Sequence, residues 1–279
     1  MIKNQLFKAT LIIGLSLMLS SFFPSYGQQA ANNKSTVQKL LSKKQYEALF
    51  PHHDTLYKYE AFINAAEKFP LFANEGTELQ NKRELAAFLA NCAHETTAGG
   101  SDDPEEKYVW GMVYKIEQYC IKRPCPVYNT QGTSNYKPVK GKNYFGRGPL
   151  QLSYAYNYGL AGDDLHLPLL QQPELVCSNG IIAFTAALWF WMKQQTPKPS
   201  CHDVMSGKWQ PTEMDLKLKR KSGFGMTINI INGGIECNTT AISFSNDRNE
   251  RIGYYKYFCK QLGIAPEEDC DCKQMRDYK

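Results

Sequence analysis

From Pro173 to Lys193 the chain is apolar on nearly every helical face: Ile181, Phe184, Leu188, Trp189, Phe190, Trp191 and Met192 leave almost no side to turn toward water. A helix of this kind has to be enclosed by other elements, so the pattern predicts a central buried helix with the rest of the chain wrapped around it. Its apolar core falls short of the ~20 residues that a membrane span needs. Burial inside a protein core is what remains.

The neighbouring segments supply the wrapping. In Lys82 to His94, Leu85, Phe88, Leu89 and Cys92 recur at i, i+3, i+4 and i+7, the stripe of a helix packed on a core. That helix should end near Glu95, because Thr96, Thr97, Gly99 and Gly100 sustain helix poorly. Phe62, Ile63, Ala66 and Phe69 mark another helix, stopped by Pro70. A polar, proline-marked connection from Thr196 to Lys221 leads to an apolar stretch, Met226 to Ile231, and a last helix runs from Arg251 to Leu262 before Gly263.

Between Tyr119 and Gly148 the prolines Pro124, Pro126 and Pro138 indicate an irregular loop, long enough to suggest that it covers a binding site. Leu150 and Leu152 alternate with Gln151 and Ser153, which in an extended segment would bury the leucines and turn the polar pair into a cleft. Ser153 fits equally well as the N-cap of a helix through Tyr156. The fold expected is mainly α, an α+β arrangement with one small irregular β element.

Lys3 and Lys8, the apolar run Leu11 to Phe23 and the small residues Ser25 and Gly27 read as a secretory signal peptide over residues 1–27. Residues 28–36 are a polar, flexible leader, and 37–279 a single domain, so a secreted protein without a membrane anchor after cleavage is expected. Nine cysteines in an exported chain favour disulfides and leave at least one thiol unpaired within the chain. Cys120 and Cys125 suit a local bridge, and Cys237 suits a bridge to Cys270 or Cys272. Cys270-x-Cys272 lacks the ligand spacing of a zinc site, so no metal is expected. The formal charge of +5 drops to +3 once Lys3 and Lys8 are removed, with no basic run, which argues against a nucleic-acid partner.

Two glutamates stand in contrasting surroundings. Glu95 follows a buried apolar stripe, where desolvation favours the protonated acid, and Glu117 lies between Lys115 and Gln118 at the entrance to the long loop, a setting that suits a carboxylate. An inverting glycosidase needs such a pair, one carboxylic acid at the leaving oxygen and one carboxylate holding a water. Spacing alone does not select these two from the other glutamates; the motifs around them do.

The runs Phe88 to Thr97 with His94-Glu95-Thr96-Thr97, Tyr144 to Ser153 with Gly146-Arg147-Gly148-Pro149, and Asn229 to Cys237 with Asn232-Gly233-Gly234 closely resemble the family 19 chitinases, from about Ser42 to Cys270. The resemblance implies a two-lobed, lysozyme-like helical fold with a deep cleft, no cofactor, and inverting hydrolysis of chitin or chitooligosaccharides; an endo-acting monomer is expected. It implies Glu95 as acid, Glu117 as base and Ser153 as a holder of the attacking water. It further implies Gln151, Tyr156, Asn157, Lys198 and Asn232 as sugar contacts, and Glu236 and Arg251 as charged partners of the catalytic carboxylates. Amide side chains both donate and accept, which suits N-acetyl and hydroxyl groups.

The chain departs from the family pattern at Ala98, inserted before Gly99, and in the acidic stretch Asp102, Asp103, Glu105 and Glu106. Two other readings use the same cleft: a peptidoglycan-cleaving, lysozyme-like enzyme, and a non-catalytic chitin-binding protein. Retention of Glu95, Glu117 and Ser153 speaks against the second, and the Asn229 to Gly234 run favours chitin over cell wall.

Overall fold

The computed structural model describes residues 35–103, 106–130 and 134–278; the expected signal peptide, the leader up to residue 34, and Glu105 lie outside them. Ser35 and Thr36, assigned above to the leader, begin the first helix, where Ser35 forms a capping box with Gln38. The helices are α1 (Thr36–Leu40), α2 (Lys43–Leu49), α3 (Tyr59–Ala66), α4 (Glu78–Glu95), α5 (Gln118–Lys122), α6 (Ala155–Leu165), α7 (Leu175–Ser178), α8 (Gly180–Met192), α9 (Cys201–Ser206), α10 (Glu213–Lys217), α11 (Phe224–Glu236) and α12 (Ile242–Gln261). Short 3-10 turns cover Thr55–Tyr57 and Pro126–Tyr128.

Helix α8 is apolar all round because it separates two cores. Ala183, Phe184, Ala187, Leu188 and Trp191 belong to the larger cluster, and Ala186 and Trp189 to a smaller one with Tyr144, Leu152, Tyr158 and Val176. In the larger core the rings of Phe62 on α3, Phe88 on α4, and Phe184 and Trp191 on α8 lie 5.2 to 5.9 Å apart, in stacked, tilted and edge-on pairs. Such pairs add to what area burial alone gives. Helix α4 packs chiefly on α12, and its predicted stripe of Leu85, Phe88, Leu89 and Cys92 is fully buried. A Thr77 capping box opens this helix, and its last residue is Glu95.

Among the described residues there is no β-strand, so the expected β element is corrected to an almost wholly helical fold. What exists is three isolated bridges, Ile116 with Arg147, Arg147 with Leu152, and Gln195 with Lys198. Leu150 and Leu152 are buried, as their alternation suggested. Gly148 (φ 74°) and Gln151 (φ 47°) nevertheless turn the backbone so sharply that Leu152 folds back onto Arg147, and no ladder can grow. Ser153 is not an N-cap; Tyr154 occupies that position of α6. The connection from Thr196 to Lys221 also holds two helices, α9 and α10, too short for a periodic signal but opened by Ser200 and Thr212 caps. Helix α12 begins nine residues before the predicted Arg251, because its N-terminal part, with exposed Ile242 and Phe244, shows no apolar stripe.

One polar group sits deep in the larger core. Glu84 of α4 accepts from Trp191 Nε1 at 3.0 Å, from the Ala73 amide at 3.1 Å and from His202 Nδ1 at 2.7 Å, while His202 Nε2 reaches Glu75 at 2.6 Å. Burial works against a charged His202, but the carboxylates of Glu84 and Glu75 outweigh it and hold its pKa above the ordinary value. Because the folded pKa is raised, this pairing stabilises the protein fully below the unfolded value of about 6.5, and the contribution is lost as pH rises through the folded value. Replacing His202 by Gln should cost about 3 kcal/mol at pH 5. The gap between wild type and variant should narrow in urea unfolding repeated at pH 8 and above; a gap constant from pH 5 to 9 would show that the imidazole is not charged.

Candidate active site

Where α4 runs out, a hydrogen-bonded relay hands its position on. Thr96, buried completely, donates its hydroxyl to Cys92 O at 2.6 Å and accepts from the Met112 amide at 2.8 Å. Its carbonyl accepts from the amides of Val113 and Tyr114. Gly111 lies so close to α4 that a Cβ there would sit 2.5 Å from that of Ala93. The strip ending at Glu117 is thereby fixed to the last turn of α4. The Glu117 amide then donates to Gly146 O at 2.9 Å, Gly148 N to Lys115 O at 3.0 Å, and Arg147 and Leu152 exchange backbone bonds, which brings Ser153 alongside.

Arg147 locks this loop. Its Nη1 donates to Asn143 O, Phe145 O and Tyr158 Oη, and its guanidinium lies 3.9 Å from the centre of the Phe145 ring. Gln151 (φ 47°) and Tyr154 (φ 72°) are both in the left-handed region. Side chains there cost roughly 1–3 kcal/mol each, a strain that recurs where function constrains the backbone.

The relay opens onto a cleft of about 520 Å³ lined by Glu95, Glu117, Gln151, Ser153, Tyr156, Asn157, Lys198 and Asn232. All eight candidate catalytic and sugar-contacting residues therefore face one cavity, although they come from α4, three loops, α6 and α11. Phe190 of α8 and Leu150 and Leu152 give it apolar walls. Glu117 Oε1 accepts from Tyr128 Oη at 3.1 Å and Oε2 from the Gly146 amide at 3.3 Å, bonds that suit a carboxylate as acceptor. Burial, and then the Glu117 carboxylate, push the Tyr128 hydroxyl well above the usual tyrosine range, so it remains a donor. Ser153 Oγ donates to Gln151 O at 2.8 Å, and Asn157 Nδ2 to Ser153 O at 2.9 Å. Lys198 donates to Ile230 O at 2.9 Å, and burial lowers its pKa.

Glu236 and Arg251 do not reach the cleft; they lie buried behind it. Arg251 Nη2 donates to Glu95 Oε1 at 2.6 Å and to Glu236 Oε1 at 2.7 Å, Nε to Glu236 Oε2 at 2.8 Å, and Nη1 to Asn91 Oδ1 at 3.2 Å. Burial opposes the Glu236 charge, but Arg251 outweighs it and holds the carboxyl below its usual range. Asn232, at a kink in α11 (φ −142°), gives its amide to Glu236 Oε1 at 2.8 Å, which leaves its carbonyl oxygen for the cleft. Glu95 Oε2 has no protein partner among the described residues. His94 turns away and pairs with Glu250 at 2.7 Å.

Tyr128, Thr96 and Asn91 also belong to the site, although the motifs give them no role. Thr96 and Asn91 stand inside the Phe88 to Thr97 run, whereas Tyr128 sits in the irregular stretch before Tyr144, where nothing in the sequence signals a contact with Glu117. Cys120–Cys125 and Cys237–Cys272 are bridged, the first as expected and the second resolving the choice between Cys270 and Cys272. Cys92, Cys177, Cys201, Cys259 and Cys270 are free thiols.

An open cleft with two carboxylates, one backed by a buried arginine and the other held by neutral donors, is an arrangement for glycoside hydrolysis. A family model described as chitinase class I, glycoside hydrolase family 19, matches residues 32–272. Acidic endochitinase WIN6 of Populus trichocarpa is 47% identical over 246 residues, covering 86% of this chain and 70% of that protein. Endochitinase B of Nicotiana tabacum is 40% identical over 251 residues, covering 86% and 74%. Among solved structures, a bacterial family 19 chitinase matches with a TM-score of 0.66 at 33% identity, over 84% of this chain and 100% of that one. Chitinase C of Streptomyces griseus matches with 0.68 at 31% identity, over 87% and 100%. The chain belongs to family 19 of the glycoside hydrolases and is a chitinase of that family.

Arg251→Met would leave Glu236 buried and unpaired and should destabilise by about 3–5 kcal/mol. Adding Glu236→Leu should restore most of the melting temperature but none of the activity, since Glu95 still lacks its partner. At Gly146 a Cβ would lie 2.7 Å from Gln151 Oε1 and 3.3 Å from Ser153 Oγ. Gly146→Ala should therefore lower kcat/KM on chitooligosaccharides about 10–100-fold with little change in melting temperature.

Proposed function

We propose that this chitinase is an endo-acting, inverting enzyme that cuts β-1,4 bonds between N-acetylglucosamine units, with Glu95 as general acid and Glu117 as general base. The observation that carries this reading is the unlike wiring of the two glutamates in one cleft. Glu117 has both oxygens held by donors, so it can keep its lone pairs aimed at a water on the far side of the sugar ring. Glu95 has one oxygen held by Arg251 and the other without a protein partner, available to carry a proton to the leaving oxygen.

In the proposed step the protonated Glu95 gives its proton to the glycosidic oxygen as the C1–O bond breaks, and Glu117 takes a proton from the water that attacks C1 from the opposite face. One water is consumed, and the configuration at C1 inverts. Arg251 remains cationic throughout and meets the negative charge that Glu95 acquires. Ser153, its hydroxyl proton directed to Gln151 O, keeps lone pairs for the attacking water. Gln151, Asn157, Lys198 and Asn232 offer donors and acceptors to hydroxyl and N-acetyl groups, and Tyr156 offers a ring face. Endo action is supported by the names of the relatives, which are endochitinases. Export is supported by the signal-like N-terminal sequence and two disulfides. No described helix is long and apolar enough to cross a membrane.

Chitin hexasaccharide hydrolysis followed by proton NMR tests the mechanism. Wild type should release the α-anomer first, and Glu95→Gln and Glu117→Gln should each lose at least about a hundredfold in kcat. An initial β-anomer would exclude single displacement, and an active Glu95→Gln would exclude that residue as the acid.

A further inference from the structure

Glu117 lies three residues before Cys120, and Tyr128 lies three residues after Cys125. The Cys120–Cys125 disulfide joins the two arms between these ends, and at the ends Tyr128 Oη donates to Glu117 Oε1 at 3.1 Å. This hydroxyl makes no other hydrogen bond among the described residues. The Tyr128 ring is braced from the opposite side: it meets Tyr154 edge-on at 5.0 Å, and Tyr154 stacks on Tyr156 at 5.4 Å. Tyr128 lines the same cleft as Ser153.

We infer that Tyr128 is a positioning residue for the Glu117 carboxylate, and that the Cys120–Cys125 bridge is the clamp that keeps it in place. Without the Tyr128 hydroxyl, Glu117 keeps only the Gly146 amide, at 3.3 Å and on its other oxygen. One bond leaves a carboxylate free to swing about its last torsion, whereas two bonds on different oxygens fix the plane in which a lone pair meets the water. The bridge matters because the 3-10 turn and the helix α5 here are a few residues each, Pro126–Tyr128 and Gln118–Lys122, too short to hold their ends together unaided.

The charged and titratable groups around this contact are few. Lys115, on the same strip, is paired with Asp54 at 3.2 Å. Glu95 from α4 and Tyr154 from the loop are within electrostatic reach of Tyr128. The remaining contact of Glu117 is the uncharged Gly146 amide.

The inference rests on Glu117 being the base, and its test separates the two claims. Hydrolysis of chitin hexasaccharide is measured against pH for wild type, Glu117→Gln, Tyr128→Phe, the pair Cys120→Ser with Cys125→Ser, and the triple variant that combines this pair with Tyr128→Phe. Tyr128→Phe should lower kcat about tenfold with KM within a factor of two. It should also move the acidic limb of the kcat profile to higher pH, because a carboxylate that loses a donated hydrogen bond holds its proton more tightly. The serine pair should shift the limb in the same direction, and the triple variant should be no worse than Tyr128→Phe alone. If Glu117→Gln is inactive while Tyr128→Phe keeps the wild-type rate and profile, the positioning role is overturned and the base assignment stands. If Glu117→Gln keeps its rate, both fall. A triple variant whose losses multiply would remove the disulfide from the inference.

Discussion

The structure turns on a cation that cannot reach water. Arg251 is almost wholly buried on α12, and an isolated charge in that place would cost several kcal/mol. It is tolerated because Glu236 from α11 meets it with both oxygens and Glu95 from α4 with one, while Asn91 takes a further donor. Three helices thus share one electrostatic requirement. Moving any of them leaves a charge without its partner, so the end of α4, and Glu95 with it, is held in place.

A second, uncharged chain of contacts extends that certainty to the rest of the cleft. Thr96 ties the strip before Glu117 to α4, that strip pairs with the Gly146 loop, and the loop folds back to carry Gln151 and Ser153. Each link engages a backbone amide or carbonyl whose burial without a partner would be costly. The strained residues Gln151 and Tyr154 can persist because Arg147 and the two cores over-determine the loop around them. A rigid cleft of this kind suits hydrolysis of a neutral polymer, where catalysis depends on placing a proton donor, a water and a sugar ring together.

Much of the scaffold could be read from pattern. Helix α4 ends at Glu95 because two threonines and two glycines follow it, and helix α8 is buried because no polar face exists to expose. Where the pattern failed, the signal was short or local. Helices α9 and α10 hold six and five residues, fewer than the two turns a periodicity needs. Residues 242–250 of α12 expose Ile242 and Phe244 and bury only Arg248, so no apolar stripe marks them as helical. The alternation at Leu150 and Leu152 described burial correctly and geometry wrongly, since alternate burial arises in a tight reversal as readily as in a strand.

The sequence by itself determined which faces are apolar, where helices stop, which glutamates stand in recognisable motifs, and the family to which the chain belongs. Only the tertiary structure decided that Tyr128 meets Glu117, that Arg251 joins Glu95 to Glu236, and that Cys237 pairs with Cys272 rather than Cys270. For Tyr128 the physical reason is an irregular loop with no periodicity to record its path, and for Arg251 it is separation along the chain, 156 residues from Glu95. A hydrogen bond across such a distance depends on how two cores pack about α8, which no window of sequence contains.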